Sequence, residues 1–169
     1  MSTEHRPPPY PSEVADHDAY LVAEISKAAD DHERRDPGPK TVERFVLEEG
    51  RKYARPPQSH KPLMSPNRCF ENSMLFADQK GVIYVEGFVL VATPRLWTMD
   101  HGWCADSTGN VCEVTLERPA YAYFGVAFAP GYITRRCANE RERRHGNGSL
   151  LRSNGREPLL YGLEQDWRA

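Results

Sequence analysis

Residues Val82 to Ala92, with the sequence VIYVEGFVLVA, contain a single charged side chain among β-branched and aromatic residues. A continuous apolar run of this composition is typical of a strand that is buried on both faces. The rest of the chain must therefore supply neighbouring strands on both sides of this strand and side chains that cover both of its faces.

The chain after this run predicts further strands that are separated by turns. β-branched and aromatic residues dominate each stretch, and proline, glycine or aspartate marks the connections. The predicted strands are Leu96 to Ala105, Val111 to Leu116 and Ala120 to Phe128, with turns at Thr93 to Arg95 and at Asp106 to Asn110.

Helical periodicity is found before and after these strands. Apolar residues recur at helical spacing, and a capping hydroxyl or a proline marks the helix starts at Thr41 and Ser65. Helices are predicted from Ser12 to just before Asp36, from about Thr41, from Ser65 to about Gln79 with Gly81 ending it, and from Ile133 to Arg144. Helices followed by consecutive strands indicate an α+β fold, with N-terminal helices packed on an antiparallel sheet.

The length of 169 residues suits one hydrophobic core. We expect residues 1–38 to form a proline-rich arm plus a helix, because four prolines between positions 7 and 11 favour extended backbone. Residues 39–169 are expected to form a single catalytic-type α+β domain.

Composition limits the compartment and the partners. Hydrophobic residues make up 39% of the chain and no apolar run has the length of a membrane span, so we expect no membrane association. The polar, proline-rich start is unlike a secretory signal, which predicts a cytoplasmic protein. A net charge of -2 makes nucleic acid an unlikely partner, and the basic stretch from Arg135 to Arg144 is interpreted as a solvated helix face.

The four cysteines, at positions 69, 104, 112 and 137, are irregularly spaced. No pair has the CxxC spacing of a zinc site, and a cytoplasmic location argues against a disulfide framework. We therefore predict no metal and no cofactor, and interpret the last three as structural. Cys69 differs because its predicted position is the first turn of a helix. The unpaired N–H groups and the helix dipole at that end favour a thiolate.

A thiolate nucleophile needs a proton acceptor, and a histidine on a neighbouring strand suits that role near neutral pH. His101 lies in a predicted strand. Glu113 lies on the predicted returning strand of the same hairpin, so the two side chains can share one face of the sheet and the carboxylate can orient the ring. Asp100 and Asp106 are alternatives for the orienting carboxylate.

A cysteine at a helix start, a long apolar strand, a His-x-Trp strand and an acidic residue after the next turn resemble the papain-like thiol enzymes, particularly the transglutaminase-like branch. The resemblance covers about Pro66 to Phe128. It implies a papain-like core and a catalytic triad in which Cys69 is the nucleophile, His101 the general base and Glu113 the orienting carboxylate. The implied activity is that of a thiol protease or other hydrolase, or of an acyl transferase, acting on a peptide or amide-bearing substrate.

Four further residues are candidates for oxyanion or substrate contacts. Asn67, like Gln58, is a possible oxyanion donor near Cys69, and Asn72 follows Cys69 by about one helical turn. Glu86 interrupts the apolar strand, where it either serves the site or marks emergence into solvent. Trp103 is a substrate platform or, more simply, a core residue.

Two other functions remain open from the sequence. A catalytically inactive binding protein with the same fold would have a buried or misaligned Cys69. A metal-binding domain would use Cys69 and His101 with Cys104 or Cys112, although these spacings are poor for a structural zinc site.

Overall fold

The computed structural model describes residues 7–38, 40–56, 64–138 and 148–152. Within these ranges the chain forms four α-helices and five strands in an α+β fold, so the predicted class is confirmed. The helices are α1 (His17–Arg35), α2 (Val42–Glu49), α3 (Cys69–Lys80) and α4 (Pro130–Ala138), preceded by a 3₁₀ helix at Pro11–Glu13. The strands are β1 (Arg51–Tyr53), β2 (Ile83–Ala92), β3 (Leu96–Ala105), β4 (Val111–Cys112) and β5 (Ala122–Phe128).

All five strands belong to one antiparallel sheet with the order β1-β5-β2-β3-β4. The apolar run predicted from Val82 to Ala92 forms β2, which lies in the middle of the sheet and is buried over most of its length. β3 and its turn to β4 also lie where the sequence placed them. The prediction of a central strand is therefore confirmed.

Other strand predictions were wrong in detail. The returning strand expected from Val111 to Leu116 ends at Cys112, so Glu113 lies just beyond it. The strand expected from Ala120 to Phe128 begins at Ala122, and this strand, β5, pairs with β2 on the side opposite β3. β1 was not predicted; it pairs with β5 at the edge of the sheet.

The helix starts show where local capping decides the boundary. Thr41 caps α2 as predicted, because its hydroxyl accepts a hydrogen bond from the Arg44 amide at 3.1 Å. α1 begins later than expected, because the Asp16 carboxylate accepts from the Ala19 amide at 3.0 Å and caps the helix there.

α3 also begins later than predicted, at Cys69 instead of near Ser65. Cys69 is consequently its first residue. The helix ends as predicted at Gly81, which has a left-handed φ of 67° that glycine adopts without steric cost. α4 begins at Pro130, before the predicted Ile133, and the expected continuation to Arg144 lies outside the described residues.

The helices cover one face of the sheet. Alternate residues of β2 and β5 on this face pack with residues of α1 and α2 in the larger core cluster, which includes Leu21, Ile25, Phe45, Leu90 and Phe128. Burial of these apolar side chains is the main free-energy gain that holds the helices on the sheet.

A second cluster lies on the opposite face, because the sheet curls around it. It contains Val85 and Val89 of β2, Trp103 of β3 and Tyr123 of β5. The two edges of the curled sheet meet at one bridge, where the Val111 amide donates to the Ala54 carbonyl at 3.1 Å.

The described part of the N-terminal arm lies on the surface beside the start of β3. The Leu96 amide donates to the Pro9 carbonyl at 2.9 Å, and Arg95 donates to the Pro8 carbonyl at 2.6 Å. Among the residues that the structure describes, none of the helices combines the length and hydrophobicity that crossing a bilayer requires.

Candidate active site

Close packing of α3 on β3 positions the cysteine. A Cβ atom added to Gly102 would lie 2.9 Å from the Phe70 Cα, so only glycine lets the first turn of the helix approach the strand this closely. Ser73 donates to the Gly102 carbonyl at 2.8 Å, and the Cys104 thiol donates to the Ser73 carbonyl at 3.1 Å. These contacts hold Cys69, which is partly buried, next to the strand that contains His101.

The N-terminus of α3 has no side-chain cap. Arg68 is the N-cap residue, and its side chain makes no capping hydrogen bond. The first amides of a helix have no partners within the helix, so those of Cys69 and Phe70 are not used by helical hydrogen bonds. Such amides are suitable donors to an anion that forms beside the sulfur.

His101 is fully buried. Its Nε2 lies 3.1 Å from the Glu113 Oε2, while Nδ1 has no partner with hydrogen-bond geometry among the described residues. Burial lowers the pKa of His101, but the contacts with Cys69 and Glu113 outweigh it and raise the pKa to about 9. The thiol therefore lies close enough to the ring to affect its protonation, without a well-aligned hydrogen bond.

Glu113 reaches His101 across a diagonal of the hairpin. Cys104 pairs with Cys112, so continuing the register would place Glu113 opposite Trp103, two residues from His101 on the same face. A diagonal neighbour on a sheet is within reach of a long side chain. The length of glutamate therefore suits this position.

Four hydrogen bonds hold the Glu113 carboxylate. Oε1 accepts from the amides of Thr115 and Leu116 at 2.9 and 3.0 Å, and Oε2 contacts His101 and the Tyr123 hydroxyl, which donates at 3.3 Å. Burial raises the pKa of Glu113, but these donors and the charge of His101 outweigh it and lower the pKa overall. The buried carboxylate is thus kept ionised, in a position to orient the imidazole.

Trp103 belongs to the core and does not face solvent. Its ring stacks beside His101 with centroids 6.2 Å apart, and it packs edge-on against Tyr53 and Tyr123. The buried indole Nε1 has no hydrogen-bond partner among the described residues. The position agrees with the simpler interpretation of Trp103 as a core residue that supports the imidazole.

Asn72 is buried and connects two segments of the site. Its side-chain amide donates to the Ser65 carbonyl at 2.6 Å and to the Thr115 hydroxyl at 3.3 Å. It therefore joins the segment before Cys69 to the segment after Glu113. Asn67 is exposed, with a left-handed φ of 65°, two residues before Cys69. Gln58 lies outside the described residues.

Glu86 lies on the helix-covered face of the sheet, away from His101. It is buried and accepts hydrogen bonds from Tyr84 at 2.6 Å, Ser149 at 2.8 Å and the amides of Leu150 and Leu151 at 2.5 and 3.1 Å. Burial raises its pKa, although these donors oppose the effect. The strand does not emerge into solvent here, so that interpretation is wrong.

The other carboxylates considered for orienting His101 are engaged elsewhere. Asp100 pairs with Arg152 at 2.8 Å, and Asp106 accepts hydrogen bonds from Thr108 and Asn110 in the hairpin turn. Cys104 and Cys112 are register partners across β3 and β4, and burial raises the pKa of both thiols. The side chain of Cys137 lies outside the described residues. Within the described ranges, no three His, Cys, Asp or Glu side chains are grouped as metal ligands.

Two contributors to the site were not found from the sequence. Tyr123 looked like one aromatic residue among several in its strand, and nothing in its spacing indicated a carboxylate partner. Gly102 had a detectable signal, since an isolated glycine inside a strand often marks a close backbone approach. Its partner Phe70 is too distant in sequence to be inferred.

Comparisons of this chain with protein-family models, with curated proteins and with solved structures find no match.

Proposed function

We propose that this protein is a cysteine-dependent acyl-transfer enzyme with a papain-like, transglutaminase-like core. Cys69 is the nucleophile, His101 the general base and Glu113 the carboxylate that orients the base. The observation that supports this assignment best is the buried His101 ring, held through Nε2 by Glu113 while Nδ1 lacks a partner and Cys69 lies beside it.

The chemistry follows from these positions. His101 accepts the thiol proton, and the Cys69 sulfur attacks a carbonyl carbon to form a tetrahedral intermediate. The free amides at the start of α3 donate hydrogen bonds to its oxyanion. When the carbon–nitrogen bond breaks, His101 returns the proton to the leaving amine and a thioester remains on Cys69.

The substrate class is a peptide or another amide. Water as the second acceptor releases a carboxylic acid, and an amine as acceptor yields a new amide. Glu113 acts in both half-reactions by accepting a hydrogen bond from Nε2 of His101. Nδ1 is therefore the nitrogen that exchanges the proton with the Cys69 sulfur.

Iodoacetamide labelling followed by peptide mass spectrometry tests the nucleophile. At pH 7 we expect native Cys69 to be labelled about tenfold faster than Cys69 in the urea-unfolded protein, because activated cysteines react as thiolates. Cys112, which is also partly buried, serves as a comparison within the same molecule. His101→Ala should reduce the rate at Cys69 to that of the unfolded chain.

Glu113→Gln is the second variant, and it keeps an oxygen acceptor within reach of the ring. Thermal unfolding of the Glu113→Gln and His101→Ala variants tests whether each variant is folded. A second assay with p-nitrophenyl acetate should give a burst of p-nitrophenolate and an acetyl group on Cys69. Labelling of native Cys69 at the unfolded rate, with no acetylated Cys69, would favour the inactive binding protein.

A further inference from the structure

Gly148 to Arg152 is a short segment, distant in sequence from the site, that contacts both the nucleophile helix and the histidine strand. A Cβ on Gly148 would lie 2.7 Å from the Glu71 Cγ and 3.1 Å from its amide nitrogen, so the backbones are in close contact. Gly148 has a φ of 76°, which glycine adopts readily. Arg152 pairs with Asp100, the residue before His101, at 2.8 Å.

Glu86 is the main anchor of this segment. Three of its four hydrogen bonds come from Ser149, Leu150 and Leu151, and the Ser149 hydroxyl also accepts from the Arg152 amide at 3.1 Å. Leu150 and Leu151 are buried in the core cluster beneath the helices. A carboxylate that is 1% exposed must have its acceptor sites filled, since an unpaired buried charge is costly. The Glu86 carboxylate and the segment Gly148–Arg152 therefore hold each other in place.

We infer that Glu86 is a positioning residue for the Cys69 centre, which it supports by holding Gly148–Arg152 against the first turn of α3 and against Asp100. This inference depends on the proposed function. Glu86 does not touch the reacting atoms; it acts through the segment. The segment in turn restricts movement of Glu71 relative to β3, and therefore fixes the separation between the Cys69 sulfur and the His101 ring.

The variant that tests this role is Glu86→Gln, which preserves size but replaces one acceptor oxygen with an amide that cannot accept from the Leu150 or Leu151 amides. The readout is the ratio of iodoacetamide labelling rates at Cys69 and Cys112, measured well below the unfolding temperature. We expect this ratio to fall at least about fivefold, since small misplacements of reacting groups have large effects on rate.

A double-mutant cycle separates positioning from a general loss of stability. In the Glu86→Gln background, His101→Ala should change the Cys69 rate less than about twofold, because the two residues act on the same contact. The control is Thr134→Val, which removes a 2.8 Å hydrogen bond between α4 and Asp78 near the other end of α3. It should lower the unfolding temperature and leave the labelling ratio unchanged.

If Glu86→Gln does not fold, Ser149→Ala removes a single donor to the same carboxylate and should lower the ratio in the same direction. A folded Glu86→Gln or Ser149→Ala with the wild-type ratio and the wild-type response to His101→Ala overturns the positioning role alone. Slow labelling of wild-type Cys69 overturns the proposed function instead, so the two failures are distinguishable.

Discussion

Replacing Gly102 by alanine tests whether the close approach of α3 to β3 positions the nucleophile. The added methyl would lie 2.9 Å from both the Cα and the Cδ1 of Phe70 and 3.3 Å from its amide nitrogen. Favourable carbon–carbon contacts lie at about 3.5–4.0 Å, so the helix must move outward by roughly 0.6–1 Å. Rotating the Phe70 side chain does not relieve the contact with its Cα.

The expected loss of stability follows from two opposing effects. Overpacking of a well-packed interior typically costs about 1–3 kcal/mol. Alanine regains about 0.5–1 kcal/mol relative to glycine within a strand, because it restricts the unfolded chain. We therefore expect Gly102→Ala to lower the free energy of unfolding by roughly 0.5–2 kcal/mol.

Function should be affected more than stability. Displacement of the first turn of α3 also displaces Cys69, and a misplacement of about 1 Å can reduce a rate about 100-fold. Urea unfolding measures the free energy of unfolding, and the ratio of labelling rates at Cys69 and Cys112 reports how the displacement changes the reactivity of Cys69.

Gly131→Ala is the matched control, because a Cβ at that exposed position in α4 meets nothing within 4 Å. It should raise the free energy of unfolding by up to about 1 kcal/mol, because alanine is favoured over glycine in a helix, and leave the labelling ratio near its wild-type value. A Gly102→Ala variant with wild-type stability and a wild-type labelling ratio would refute a role of this glycine in positioning Cys69.

Three further predictions concern protonation, the carboxylate and a helix cap. Contacts with Cys69 and with Glu113 raise the pKa of His101 to about 9 against the opposing effect of burial. These contacts, including the ion pair with Glu113, therefore stabilise the fold fully below about pH 6.5, and this contribution is lost as the pH rises through 9. Urea unfolding should therefore show a decline over this window that His101→Gln lacks; parallel profiles would contradict the ion pair. Tyr123→Phe removes a donor to Glu113 and should cost about 1–2 kcal/mol, with slower Cys69 labelling; unchanged labelling would exclude a role in orienting the carboxylate. Thr41→Ala removes the cap of α2 and should cost about 1 kcal/mol in urea unfolding without altering labelling; a change in labelling would show coupling between α2 and the site.

Predictability from the sequence depended on how local each interaction is. The central strand was predictable because a continuous apolar run needs cover on both faces. The Thr41 cap and the Gly81 helix end were predictable because each involves atoms within one turn. β1 was not predictable, because Arg51-Lys-Tyr53 is short and its pairing with β5 is non-local.

In the candidate site, too, contacts between residues close in sequence are predictable and contacts between distant segments are not. The pairing of His101 with Glu113 is predictable because one hairpin contains both residues, although β4 ends at Cys112, before the carboxylate. The contacts of Tyr123, Asn72 and Glu86 join segments far apart in the chain. Their partners depend on strand order and helix placement, neither of which periodicity determines.

The hydrogen bond from the Val111 amide to the Ala54 carbonyl has a consequence for how the molecule folds. It joins the chain that leads toward Cys69 to the hairpin that contains His101. β1, which directly precedes Ala54, pairs with β5, whose residues are far away in sequence. Contacts of such long sequence separation form slowly, because the entropy of closing the loop is lost before the contact is gained. The Cys69 sulfur and the His101 imidazole should therefore come together among the last events of folding. A nascent chain whose synthesis has not yet reached β5 should have an unreactive Cys69 thiol.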